Sequence, residues 1–103
     1  MFEKNVIIVS RHKGTIDYFK SKLGDVQVIE HLTSVEQIPE NSVVMGNLPI
    51  NLIEDIIKRG HDFILVTLNV PKELRGQDLD VKDVKKYIKL YKVKKLELEE
   101  IVI

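Results

Sequence analysis

Residues 5–19, NVIIVSRHKGTIDYF, hold the reading that decides the fold. Val6, Ile7, Ile8 and Val9 form an unbroken β-branched run, the pattern of a strand buried on both faces in a parallel sheet covered by helices. The run gives way to Ser10, Arg11, His12, Lys13 and Gly14. Three consecutive cationic or potentially cationic side chains do not suit a buried strand, so they belong to a solvent-facing turn that a negative group can reach. Thr15 is a capping residue type for the next segment, and Asp17 falls in its first turn. Ile16, Phe19 and Leu23 recur at helical spacing until Gly24 ends the helix.

The same strand, loop and helix recur along the chain. VQVIEHL (26–32) reads as a second, partly amphipathic strand, and a polar connection with a turn at Pro39 and Asn41 leads to a third, SVVMGN (42–47). Pro49 suits the first position of a helix, where its missing N–H costs nothing. Ile50, Ile53, Ile56 and Ile57 then form one stripe until Lys58, Arg59 and Gly60 close it. DFILVTLNV (62–70) is another buried strand, and PKELRGQDLD (71–80) is an ordered polar loop. Asp80 caps a last helix with Val81, Val84, Ile88 and Tyr91 on its apolar face and lysines crowding the others, most simply a solubilising face. KLELEEIVI (95–103) alternates at first and reads as an edge strand. This rhythm predicts an α/β three-layer sandwich with a mainly parallel central sheet, Rossmann-like but without the dinucleotide fingerprint G-x-G-x-x-G.

A chain of 103 residues has room for one hydrophobic core, so residues 1–103 are expected to form a single domain. No apolar run approaches the roughly 20 residues that span a bilayer, and the N-terminus lacks a signal-peptide layout, so a soluble, cytoplasmic protein with no membrane partner is expected. Sixteen Lys and Arg balance sixteen Asp and Glu. The molecule therefore lacks the positive field used to track long nucleic acid, and an anion must be met by a local cluster. There is no cysteine, and His12, His31 and His61 show no metal-ligand spacing, which argues against a metal or other cofactor. His31 and His61 read as structural or exposed.

In α/β sheets ligands bind beyond the carboxyl ends of the strands, and three strands here end in unusual residues. The first end, Ser10-Arg11-His12-Lys13-Gly14, offers an anion a hydroxyl, a guanidinium, an imidazole, an ammonium and the N–H groups of a helix start. The second, Gly46-Asn47-Leu48-Pro49, combines a glycine that admits close backbone approach with an amide able to meet phosphate, ribose or base. The third is Thr67-Leu68-Asn69, and Arg75 in the following loop can fold over the same face as a lid. Each has a plainer reading: solvated loop charges for the first, a strand-to-helix turn for the second, and an ion-paired surface segment for Arg75. The first two gain weight because they fall at equivalent ends of what should be neighbouring strands.

With these residues assembled, the chain resembles a small CRISPR-associated family of type III systems marked by an SRH-x-G loop, a G-x-LP turn, an RG helix end and a P-x-x-x-RG-x-x-L segment. Here these are Ser10 to Gly14, Gly46 to Pro49, Arg59-Gly60, and Pro71 through Leu79. Lys13 stands where the family often has Pro, Thr15-Ile16-Asp17-Tyr18 replaces an Ala-led helix start, and the tail after about Lys92 lies outside the resemblance. The resemblance implies a homodimeric, Rossmann-like (CARF-like) protein that binds cyclic tetra-adenylate and, as a ring nuclease, cuts it to end a second-messenger signal.

On that expectation the ribose 2′-hydroxyl attacks its own adjacent phosphate without a metal, and the protein supplies positioning and preorganised donors. Arg11 and His12 are the expected catalytic pair. The guanidinium fork grips two phosphate oxygens, and the imidazole either transfers a proton or only hydrogen-bonds the ribose. Ser10, Lys13, Gly14, Gly46, Asn47, Leu48, Pro49, Thr67, Asn69 and Arg75 are the expected ligand contacts. Two alternatives stay open: a module that binds the messenger without cleaving it, and a scaffold domain with no small ligand.

Overall fold

The chain alternates strand and helix from the start: β1 (Asn5–Val9), α1 (Lys13–Leu23), β2 (Gln27–Ile29), β3 (Ser42–Gly46), α2 (Ile50–Lys58), β4 (Asp62–Leu68), α3 (Val81–Tyr87) and β5 (Ile88–Lys92). Short 3₁₀ turns at Val35–Gln37 and Lys72–Leu74 lie in the longer connections. The computed structural model describes residues 4–103. The strands form one sheet in the order β2-β1-β3-β4-β5, in which the first four are parallel and β5 is antiparallel to β4. Among the described residues no helix is long and apolar enough to cross a membrane.

Alternation along the strands divides the core between two faces. Ile7 and Val9 of β1, Val44 of β3 and Phe63 of β4 face Ile53 and Ile56 of α2, with Leu32, Val35 and Ile38 completing that side. Ile8 of β1, Val43 and Met45 of β3, and Val66 of β4 face Phe19 of α1. Adjacent residues of each central strand thus bury opposite ways, which is why those strands carry no polar alternation. Helices cover both faces: α2 lies on one, and α1, with α3 packed beside it, lies on the other.

The structure corrects several element boundaries. α1 begins at Lys13 with His12 as its N-cap, so Thr15 is inside the helix and Asp17 lies past the first turn. β2 has only three residues, because the chain leaves the sheet and Leu32 turns into the α2-side core. Pro49 stands just outside α2 as its N-cap, its carbonyl accepting the N–H groups of Leu52 and Ile53 at 3.0 and 3.1 Å. The last helix stops at Tyr87: Ile88 and Tyr91, expected on its apolar face, pair instead with Leu68 and Leu65 of β4. The edge strand is therefore IKLYK. Residues 95–103 form no strand, although Val93 and Leu96 pack on the α2-side core and the Leu98 N–H donates to the Glu54 carboxylate. The caps at Gly24 and Asp80 and the turn at Asn41, with its φ of 57°, are as expected.

Two packing details are exacting. Gly14 lies so close to Leu79 that a Cβ there would sit inside the Leu79 carbonyl oxygen. This contact joins the first turn of α1 to the segment leading into α3. At the amino end of the sheet, His61 is 9% exposed and its Nδ1 accepts the Ser42 N–H at 3.4 Å. Burial, followed by the charges of Lys4 and Arg59, lowers the pKa of His61 below the ordinary 6.5, against a smaller opposing influence of Glu40.

Gly14→Ala is expected to destabilise the fold by about 1–3 kcal/mol, the usual cost of overpacking, because backbone must move to admit the methyl group. An unchanged urea midpoint would contradict the contact. For His61 the unfolded chain binds the proton more tightly than the fold does. Its stabilising contribution is complete above pH 6.5 and is lost as pH falls from 6.5 to the lower folded value. Urea midpoints at pH 8 and 5 should differ more for the wild type than for His61→Gln, and equal differences would refute the assignment.

Candidate functional site

The chain leaves β1 toward the α1 face and leaves β3 toward the opposite, α2 face. Parallel strands that diverge in this way open a crevice at their carboxyl ends, the usual ligand position in such sheets. β1 and β3 pair directly, with Val9 opposite Gly46, so the Ser10 and Asn47 loops begin side by side. Gly46 has its own structural reason. A Cβ there would lie 2.6 Å from the Val9 carbonyl oxygen, so the backbone it admits is that of β1.

The Ser10 to Gly14 loop is built by its own side chains. The Ser10 N–H donates to the Ile29 carbonyl at 3.3 Å, and the Ser10 hydroxyl oxygen accepts the His12 N–H at 3.1 Å. The His12 carbonyl accepts the Ile16 N–H, the first α1 hydrogen bond. The His12 ring caps the helix, with Nδ1 accepting the Thr15 N–H at 3.2 Å and lying 2.8 Å from the Thr15 hydroxyl. A cap of this kind contributes about 1 kcal/mol and fixes the ring against the helix start. Arg11 and Lys13 are exposed, and neither forms an ion pair among the described residues.

A cavity of about 510 Å³ opens at this loop. Arg11, His12, Lys13, Gly14 and Asp17 line one wall, and Asp78, Leu79, Asp80 and Val81 line the other. Asp80 is committed to α3. Its Oδ1 accepts the Asp83 N–H at 3.0 Å, and this backbone hydrogen bond is the main cause that lowers its pKa, so it is ionised. Asp17 and Asp78 have no hydrogen bond or ion pair among the described side chains. The walls are therefore of mixed sign. A ligand offering phosphate to Arg11 and Lys13, and hydroxyl or amine hydrogens to the carboxylates, would meet both.

The other expected contacts lie outside this cavity. Asn47 and Pro49 are exposed on the neighbouring loop, and Leu48 packs against the α2-side core. The Thr67 hydroxyl donates to the Lys89 carbonyl at 3.1 Å, which ties β4 to β5. The Asn69 N–H donates to the Tyr87 carbonyl. Arg75 is exposed and ends the second 3₁₀ turn. Thus the structure gathers Arg11, His12, Lys13 and Gly14 in one cavity, with Ser10 shaping their loop, but not the Gly46 to Pro49 turn, Thr67, Asn69 or Arg75. Sequence reasoning missed Asp17 and Asp78 as cavity residues, and it read Thr15 as a cap instead of the partner of the His12 ring. One usable signal was the D-x-x-D capping box at Asp80 and Asp83, which with buried Leu79 anchors the segment carrying Asp78.

At the opposite end of the sheet a second cavity, of about 410 Å³, is lined by Glu36, Glu40, Arg59 and His61, among others. Arg59 there is paired with Glu36 at 3.8 Å. Among the described residues no group of three or more His, Cys, Asp or Glu side chains is placed to hold a metal ion.

No curated protein and no solved structure matches the chain significantly. A family model described as "Putative CRISPR-associated protein (Cas_VVA1548)" matches residues 7–95. That span runs from the second residue of the β1 apolar run to just beyond β5 and includes both walls of the cavity. The chain belongs to this CRISPR-associated family.

Proposed function

We propose that the chain is a type III CRISPR ring nuclease that binds cyclic tetra-adenylate beyond the carboxyl end of β1 and cleaves it. The observation that carries this reading is the cavity in which Arg11, His12 and Lys13 stand together at the start of α1, with Asp17 on the same wall and Asp78 on the one facing them. Inorganic phosphate would meet the cations and be repelled by the carboxylates. A ribonucleotide phosphodiester also brings hydroxyl and amino hydrogens, which those carboxylates accept. A net formal charge of zero fits a small ligand met locally better than a polymer tracked by a broad positive field.

In this reading Arg11 holds two oxygens of one phosphate. The ribose 2′-oxygen attacks the adjacent phosphorus, and the bond to the 5′-oxygen breaks. The products carry a 2′,3′-cyclic phosphate and a 5′-hydroxyl. The substrate brings its own nucleophile, so the protein contributes alignment and fixed donors toward the developing charge. In this reading the mainly parallel α/β sheet serves as a Rossmann-like, CARF-like binding domain. A two-fold homodimer would set two copies of the cavity around the ring and bring in Asn47 and Arg75 from the surrounding loops.

Purified protein incubated with cyclic tetra-adenylate in EDTA should yield linear products ending in 2′,3′-cyclic phosphate on chromatography. Intact, tightly bound ligand would replace the nuclease with a module that sequesters the messenger. No thermal shift with any cyclic oligoadenylate would leave neither. Arg11→Ala should weaken binding roughly ten- to hundredfold, the loss expected for charge-assisted hydrogen bonds of about 1.5–3 kcal/mol. An unchanged affinity would move the phosphate elsewhere.

A further inference from the structure

We infer that His12 serves the ligand as a neutral hydrogen-bond donor through Nε2–H, with its tautomer set by Thr15, and does not transfer a proton. The inference rests on reading the cavity as the cyclic oligoadenylate site, and it adds a role for one ring within that site.

The geometry brings both the Thr15 N–H and the Thr15 hydroxyl to one nitrogen. The Thr15 N–H reaches His12 Nδ1 at 3.2 Å and the Thr15 hydroxyl lies 2.8 Å from the same atom. Thr15 is only 5% exposed, so water is a poor substitute partner for either group. If Nδ1 carried the ring hydrogen, that hydrogen would donate to the Thr15 hydroxyl, but the Thr15 N–H would then face a second hydrogen and lose its acceptor. With the hydrogen on Nε2, Nδ1 offers its lone pair to Thr15 and the helix start stays capped. The peptide geometry of α1 thus selects the tautomer, because a backbone N–H cannot reverse its polarity as a hydroxyl can.

Loop construction reinforces this orientation. The Ser10 hydroxyl holds the His12 N–H at 3.1 Å, which fixes the backbone from which the ring hangs. Nε2 is the ring atom left over for a ligand, and in this tautomer it has a hydrogen to give and no lone pair to accept one. A group of that kind suits a phosphate oxygen beside the Arg11 fork. It cannot take the proton of an attacking 2′-hydroxyl without first giving up its tautomer and the cap. In the cleavage step the 2′ proton therefore passes to water or to one of the cavity carboxylates, Asp17 or Asp78, and the departing 5′-oxygen takes its proton from water.

Nitrogen-15 spectra of the ligand-free protein at pH 8 test the tautomer directly. Long-range couplings from the His12 ring protons should show Nδ1 bare and Nε2 protonated. The reverse pattern, or an even mixture, would overturn the inference whatever the ligand proves to be. The role is tested by His12→Gln, whose amide nitrogen reaches close to the Nε2 position and donates without exchanging a proton in the reaction. His12→Gln should retain turnover of cyclic tetra-adenylate within about tenfold of wild type, while His12→Ala loses a hundredfold or more. If glutamine were as damaging as alanine in a folded protein, a proton-transfer role would stand in its place. The predicted tautomer in a protein with no affinity for cyclic tetra-adenylate would overturn the proposed function and the ligand role together, leaving only the cap.

Discussion

The parallel pairing of β1 with β3 is the constraint on which the rest of the molecule depends. Val9 lies opposite Gly46, with no room for a side chain on the glycine. From that last pair the chain turns to opposite faces, so one hydrogen-bonded contact both completes the core and opens the crevice. A second close approach, Gly14 against the Leu79 carbonyl, brings the segment before α3 over the start of α1 and makes the other wall. Both motif glycines are therefore accounted for by protein backbone meeting protein backbone. Their part in any ligand site is to let its walls come together.

The far edge of the sheet shows how the fold handles a strand without an outer partner. β5 leaves Leu90 44% and Tyr91 51% exposed on opposite faces, Leu90 at the margin of the α1 side, where it lines a cavity with Tyr18, Phe19 and Leu23. An open edge with exposed apolar side chains invites pairing with another chain, and Lys89 and Lys92 make such pairing costly by requiring their charges to be accommodated. Beyond β5, Val93 and Leu96 return to the α2-side core, and the Leu98 N–H finds Glu54, which Lys58 also approaches at 3.5 Å. The tail is thus held, among the described residues, by two backbone donors, Val93 N–H to the Phe63 carbonyl and Leu98 N–H to Glu54, and two apolar anchors, with no ladder of its own.

What was legible in the sequence follows from how local each cause is. β1, β3, β4 and α2 carry periodicities that no tertiary contact had to override, and Gly24 and Asp80 close or open helices through bonds spanning a few residues. β5 was illegible because Val81, Val84, Ile88 and Tyr91 fit a helical stripe, while the alternative depends on the open edge of β4, whose pairing residues Ile64 to Leu68 lie far upstream. The same limit applied to the site. Arg11, His12 and Lys13 were visible as a cluster, but nothing near them in sequence announces Asp78, which arrives only because Leu79 buries against Gly14. His12 as a cap escaped notice because Thr15 is the more usual capping type, yet the imidazole is long enough to accept the N–H of Thr15 itself from outside the helix.

Charge balance in this molecule acts at two ranges. Over the whole chain, equal numbers of acidic and basic groups cancel, and in physiological salt any residual field is screened within roughly 8 Å. Inside the cavity Arg11, Lys13 and Asp17 share one wall and Asp78 and Asp80 stand on the other, so cations and carboxylates act as separate local features. A simple anion gains from the cations and loses at the carboxylates. A molecule carrying both acceptors and hydrogen-bond donors would have a partner for each kind of group. Neutrality at long range and mixed charge at short range therefore draw on the same groups: exchanging Asp17 and Asp78 for neutral residues would take two carboxylates from the cavity and leave sixteen basic groups against fourteen acidic ones.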